Sequence, residues 1–321
     1  MALSEFELIK KYFQNLAHED PSVKCGIGDD AAIIQIPQDM QVVLSIDTML
    51  EDTHFPAETT PYDIGYKALA VNLSDMAAMG ALPKWALLSI SLPENDESWL
   101  KEFATGFLEL ARHHSISLIG GDMSRGPLSI TVQIQGLVPT NTALMRDGAQ
   151  KGDHIYVTGT LGDAGVGLDI VSGKLSIRER HKMFFLNRFN RPEISIGAGI
   201  RLRNIASSAI DVSDGLIADL GHILESSHVG AEIEMDKIPL SEAMQQCINA
   251  TTAWNYALTS GDDYRLCFTA PSEMQEKITN LLKDINVSVS CIGKIKGETG
   301  LQLKIPEGTS FEPSGKSYEH F

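Results

Sequence analysis

Apolar and polar positions follow two rhythms along this chain. A period of two runs through ALLSISL (86–92) and SITVQIQGLV (129–138). Ile130, Val132 and Ile134 fall on one side there, so both stretches predict strands with one apolar face. QVVLSI (41–46), short and rich in β-branched residues, predicts another strand. Helical spacing marks the amphipathic start MALSEFELIKKYF, YDIGYKALAVNLSDMAAMG (62–80) and SWLKEFATGFLELARHH (98–114). PTNTALMRDGAQKGD (139–153) interrupts these rhythms: it opens on Pro139 and is polar and turn-rich, which predicts a domain boundary. Beyond it the pattern predicts strand 154–159, helices over 163–206, strand 208–212, helix 215–227 and strand 231–235. Helix 241–249, strand 263–269, helix 272–284 and strand 288–295 follow. Two domains are expected, 1–140 and 141–321, in an α+β or α/β arrangement.

Composition narrows the function classes. With 321 residues, 43% of them hydrophobic, the chain can bury a full core in two domains. A net charge of −16 argues against nonspecific binding to nucleic acid or to an anionic membrane. A phosphate ligand would need metal ions or a few placed basic residues. Cys25, Cys247, Cys267 and Cys291 form no C-x-x-C pair and read as reduced thiols of a cytoplasmic protein. The N-terminus does not resemble a signal peptide, and no apolar stretch reaches the roughly 18 residues of a membrane span.

The acids are placed unusually. In GIGDDAAII (26–34) two aspartates, Asp29 and Asp30, stand between a glycine pair and an apolar run. QVVLSI leads into Asp47, and ISLIGG (116–121) into Asp122. SAI runs into Asp211, followed by Asp214, and Asp75 lies among small apolar residues one helical turn after Asn72. The expectation is a set of carboxylates at strand tips, where α/β folds tend to build sites. Carboxylates gathered in one cleft repel one another, and bound cations remove that cost. No histidine or cysteine keeps regular company with these acids, so an oxygen-only ligand set for several Mg²⁺ or Mn²⁺ ions on a polyphosphate fits best. Each aspartate alone could equally be a turn or cap residue; the joint pattern carries the argument.

Two stretches mimic phosphate loops. SFEPSGKS (310–317) lacks the first glycine, a leading strand and room for a helix, and is a chance match. VTGTLGDAGVGL (157–168) runs from strand through a glycine turn into a helix. It could hold an anion on backbone N–H groups or be a tight structural turn.

GIGDDAA (26–32), SIDTMLEDTHF (45–55), NLSDMAAMGA (72–81), LIGGDMSRG (118–126), MRDGAQKGD (145–153), VTGTLGD (157–163), DVSDGL (211–216), SGDDY (260–264) and YEHF (318–321) together resemble the thiamine-monophosphate kinase family, in that family's order. The resemblance implies the aminoimidazole ribonucleotide synthetase-like fold. An N-terminal α/β domain would bind ATP and metal and dimerise, its sheet forming a barrel across the two-fold, beside a C-terminal α/β domain. It implies transfer of the γ-phosphoryl of ATP directly to thiamine monophosphate, giving thiamine diphosphate, the last step of that biosynthesis. By motif, Asp30, Ser45, the Ile46 carbonyl, Asp47, Asp75, Asp122, Asp211 and Asp214 resemble the ligands of several Mg²⁺ ions. Gly121, Asp122, Arg146 and Ser213 resemble the ATP contacts; His54, Asp262 and Tyr318 resemble the substrate contacts. Asp47, Asp75 and Arg146 are the implied catalytic residues, and Asp30 rather than Asp29 is favoured to face the metals. The chain departs from the family in GDDYRL, where G-E-D-Y-E-L is usual, and in MLED after Asp47, where V-E-G is usual. His113 and His114 are expected to be a solvated helix end, and Met76–Met79 core.

Overall fold

The computed structural model of the chain describes residues 4–14, 20–306 and 308–314. Its contacts divide it into two compact units. One holds residues up to Met76 with Ala81–Asn141; the other holds Ala77–Gly80 and the residues from Thr142 onward.

The first unit contains α1 (Glu5–Ile9), β1 (Val23–Cys25), β2 (Ile33–Ile34), β3 (Met40–Leu50) and all but the last two residues of α2 (Pro61–Ala78). It continues with β4 (Leu82–Leu92), α3 (Glu97–His113), β5 (Ser117–Arg125) and β6 (Ser129–Pro139). A four-stranded sheet runs in the order β3-β6-β4-β5, parallel only between β4 and β5. Ile130, Val132 and Ile134 are buried, as their alternation predicts. In α3, Leu100, Phe103, Phe107 and Ala111 form the buried stripe. The Asp96 carboxylate starts that helix by accepting the Ser98 and Trp99 N–H groups at 2.9 and 3.0 Å. His113 is exposed, but His114 is half-buried, and burial lowers its imidazole to about 4, so it is not the solvated residue expected. Of the stretch Met76–Met79 expected to be core, Met76 is fully buried while Met79 is only half-buried.

The second unit contains β7 (His154–Thr158), α4 (Asp163–Val171), α5 (Glu179–Asn190), α6 (Ile196–Leu202), β8 (Ser208–Val212) and α7 (Leu216–Ser227). It is completed by β9 (Gly230–Glu234), α8 (Glu242–Cys247), α9 (Ala250–Thr259), β10 (Arg265–Ala270), α10 (Gln275–Lys283), β11 (Val289–Lys296) and β12 (Gly300–Lys304). The six-stranded sheet has the order β12-β9-β11-β7-β10-β8 and is antiparallel except between β12 and β9. One of its faces packs Ile155, Val157, Ile210 and Ile233 against Leu216, Leu220 and Ile223. Each such side chain, fully buried, contributes roughly 1.5–3 kcal/mol.

Several expectations change. The prevalence of antiparallel pairing makes this an α+β fold, and among the described residues no sheet closes on itself. Strand β3 does not stop at Ile46. It pairs with β6 over all eleven residues, so Asp47 sits inside a strand rather than at its tip. Asp122 likewise lies inside β5, opposite Ser89 of β4. The predicted helical stretch 163–206 is three helices, broken around Gly173 and again at Pro192, before which Arg191 leaves the helical region (φ −133°, ψ 71°). Helix 241–249 is shorter than predicted, and α9, unforeseen, follows it. Asn249 caps α9 by accepting the Thr252 N–H at 3.0 Å.

Candidate active site

In the first unit, a cavity of about 1130 Å³ opens between α1, the glycine turn after β1, and strands β4 and β5. Asp29, Asp30, Gly121 and Asp122 line it, so two motifs ninety residues apart in sequence share one wall. The paired aspartates differ in their bonding. Asp29 Oδ1 accepts the Asp30 N–H at 2.8 Å, and its Oδ2 lies 3.6 Å from the Cys25 thiol that donates to it. Asp29 thus engages its carboxylate within its own loop, bonding the next residue's N–H and the Cys25 thiol. Asp30 is exposed, and its carboxylate has no partner among the described residues. Gly121 stands at φ 155° where a Cβ would lie 1.8 Å from the Leu88 carbonyl oxygen, so no other residue lets β5 approach β4 before Asp122.

Ser45 and Asp75 meet directly. Ser45 Oγ donates to Asp75 Oδ2 at 2.5 Å and ties β3 to α2. Asp47 is half-buried on the same side of β3, two residues on, opposite Val132. The Ile46 side chain points to the other side and is 63% exposed. Asn72 is fully buried and donates to the Ala68 carbonyl at 3.0 Å, satisfying the helix rather than Asp75. His54 holds the turn after β3: its Nδ1 accepts the Leu50 N–H at 3.0 Å.

In the second unit, Asp211 is buried near the end of β8, and Ser213 and Asp214 form the turn beyond it. That turn is pinned from below. Asp219, in the first turn of α7, accepts the N–H groups of Ser213 and Asp214 on one carboxylate oxygen, both at 3.0 Å. Burial pushes the Asp219 carboxyl up to about 7, and negative charge on Asp211 and Asp214 adds to the rise. Asp262 joins the same turn, donating its N–H to the Ser213 carbonyl at 2.8 Å. The Arg146 side chain is exposed; its carbonyl accepts the Ser227 hydroxyl at 3.0 Å. Tyr318 lies outside the described residues.

The glycine turn before α4 is not an open anion cradle. The fully buried carboxylate of Asp263 fills the helix start, accepting the Gly162 N–H at 2.6 Å and the Ala164 N–H at 3.4 Å. Burial raises Asp263 to about 8, and the charge of Asp163 adds to the rise. Asp163 is itself buried, held by the hydroxyls of Thr160 and Ser241 at 2.6 Å each. Arg265, where the family usually has an acid, is buried and paired with Glu193 at 3.0 Å. Arg188 shares that carboxylate at 2.6 Å. Of the second phosphate-loop lookalike, only 310–314 are described, and they form no helix.

Asp219 and Asp263 escaped the sequence reading. The one available signal was position: Asp219 is an acid in the first turn of an apolar helix, and Asp263 neighbours the residue chosen instead.

Among the described residues, no three histidine, cysteine or acidic side chains converge as a ready metal cage. The donors are all oxygen, grouped in ones and twos. This suits Mg²⁺, which is commonly held by one or two carboxylates while water and phosphate oxygens complete its shell.

The fold and the acid-lined cavity define a class: residues 28–138 match the model of the AIR synthase related protein N-terminal domain, and residues 150–306 match that of the C-terminal domain. Thiamine-monophosphate kinase of Haemophilus influenzae is 46% identical, with 94% of this chain and 92% of that protein covered. The crystal structure of thiamine-monophosphate kinase from Stenotrophomonas maltophilia superposes with a TM-score of 0.88 at 43% identity, covering 94% and 97% of the two chains. A structure described as AaThiL complexed with AMPPCP and TMP is 31% identical with a TM-score of 0.77, over 100% and 99%. The chain belongs to the thiamine-monophosphate kinase family.

Proposed function

We propose that the chain transfers the γ-phosphoryl group of ATP directly to the phosphate of thiamine monophosphate, giving ADP and thiamine diphosphate as the last step of its biosynthesis. The observation that carries this is the cavity wall shared by Asp30, Gly121 and Asp122 in a member of this family. The relative whose complex holds AMPPCP, an ATP analogue, together with TMP supports the pairing of donor and acceptor.

In this reading Gly121, Asp122, Arg146 and Ser213 bind ATP, and His54, Asp262 and Tyr318 contact the acceptor. Asp30, Ser45, the Ile46 carbonyl, Asp47, Asp75, Asp122, Asp211 and Asp214 would hold Mg²⁺. When bound, those ions supply positive charge that neutralises phosphoryl oxygens. The acceptor oxygen belongs to a phosphate already ionised near neutral pH, so the chain needs no strong general base. The barrier is the approach of two anions. Arg146, exposed and cationic, screens that repulsion, and the backbone at Gly121 lets the donor come close. The Ser45 hydroxyl orients the Asp75 carboxylate.

A homodimer belongs to the same reading, with the N-terminal sheet forming a barrel across the two-fold. It is supported by the edge strand β3, whose Val42, Leu44, Ile46 and Leu50 are 38, 62, 63 and 41% exposed on one side. An apolar edge of that length is a surface that proteins ordinarily cover.

Phosphorus NMR on the protein with Mg·ATP and thiamine monophosphate tests the activity. Thiamine diphosphate and ADP should appear in equal amounts without AMP. ATP binding with no new diphosphate would overturn the reading.

A further inference from the structure

The segment Gly261–Tyr264 is built under strain. Asp262 (φ 67°) and Tyr264 (φ 49°) both adopt the left-handed region, which costs a residue with a side chain on the order of 1 kcal/mol or more. Two such residues flanking one position persist only where neighbours overdetermine the backbone. The neighbours are present on three sides. Asp263, between the two, is fully buried, with its carboxylate on the Gly162 and Ala164 N–H groups at the start of α4. The Asp262 N–H donates to the Ser213 carbonyl and the Tyr264 N–H to the Val212 carbonyl, both at 2.8 Å. Gly261 packs so close that a Cβ there would lie 2.2 Å from the Ser213 oxygen. The side chain of Asp262 is oriented as well: the Tyr264 hydroxyl donates to Asp262 Oδ1 at 3.1 Å.

We propose that Asp263 and Tyr264 are positioning residues that act through Asp262. Asp263 anchors the strained backbone from the interior. Tyr264 fixes the direction of the carboxylate from the open side. The acceptor-facing residue is thereby locked to the 212–214 segment instead of resting on a mobile loop. Asp262 is one methylene shorter than the glutamate usual at this place, so its reach depends on the backbone being held. The inference rests on the assignment of Asp262 to the acceptor under Proposed function.

Steady-state kinetics of Asp263→Asn, Tyr264→Phe and Asp262→Ala, with both double variants, test it. Asp263→Asn keeps the side-chain volume, and Tyr264→Phe removes only a hydroxyl. Each should raise the KM for thiamine monophosphate about tenfold, while the KM for ATP changes less than about twofold. In the Asp262→Ala background both effects should vanish, because residues acting through one partner are not additive. Effects that add in full on top of Asp262→Ala, or an unchanged acceptor KM, overturn the positioning role. Should Asp263→Asn fail to fold, Tyr264→Phe and its cycle decide alone. Wild-type protein that forms no thiamine diphosphate overturns the function itself, and this inference with it; active wild type with unmoved variants overturns only the inference.

Discussion

Asp75 and Asp263 show how differently a carboxylate can be used within one chain. Asp75 accepts the Ser45 hydroxyl on a half-buried helix face. Its loss of charge should leave the fold intact and remove charge stabilisation where phosphoryl oxygens approach. We expect Asp75→Asn to lower kcat by about 10²–10³-fold with an unchanged circular dichroism melt; a near-wild-type rate at every Mg²⁺ concentration would remove it from the mechanism. Asp263 is dry, and burial raises its carboxyl to about 8 against an unfolded value near 3.9. The sign follows from proton counting. Between these values the native state holds a proton that the unfolded state has released, so stability falls as pH rises from about 4 to 8 and is then level. Urea midpoints should therefore drop more steeply across that window in wild type than in Asp263→Asn. Equal slopes would show that Asp263 is ionised throughout. Asp30 was legible because glycines and an apolar run frame it in the sequence itself. Asp219 and Asp263 were not, because their burial comes from helices and strands that close over them from distant parts of the chain.

At the scale of elements, alternation located the strands but not their lengths. Ser45–Leu50 contains Ser, Asp and Thr and reads as the end of a strand, yet β6 offers a backbone partner to every residue as far as Leu50. Pairing, a long-range property, overrode local polarity. The parallel join of β4 and β5 runs from Trp85 to Leu92 and includes one approach that sequence spacing cannot express, that of Gly121 to the Leu88 carbonyl. Gly121→Ala would add both a left-handed φ and a steric overlap. We expect a loss of at least about 2 kcal/mol in denaturant unfolding, together with loss of nucleotide binding measured by calorimetry. A variant as stable as wild type would mean that β5 can shift away from β4 at little cost. Helix α9 was missed for a related reason: two threonines in its first turn are poor helix formers, and Asn249 compensates with a cap that only the folded turn reveals.

For the molecule as a whole, the surface of β3 connects stability to assembly. Within the first unit, one side of this strand faces α2 through Ser45, and the other presents Val42, Leu44, Ile46 and Leu50. A monomer would leave both this apolar row and the outer hydrogen-bonding edge of β3 in water. The overall charge of −16 would oppose self-association unless such a patch overcame it. Leu44 is 62% exposed and lies one residue from Ser45, on the opposite side of the strand from the Ser45–Asp75 bond. Replacing it with a charged residue should therefore weaken assembly before it disturbs the acids. Sedimentation equilibrium of the wild type should give twice the chain mass, and Leu44→Glu should shift it toward the monomer with the circular dichroism spectrum unchanged. Added salt should strengthen the wild-type dimer by screening like charges while leaving the apolar contact in place. A wild-type monomer at every concentration and ionic strength would show that the exposed row on β3 is tolerated in water, and the barrel across a two-fold would fall with it.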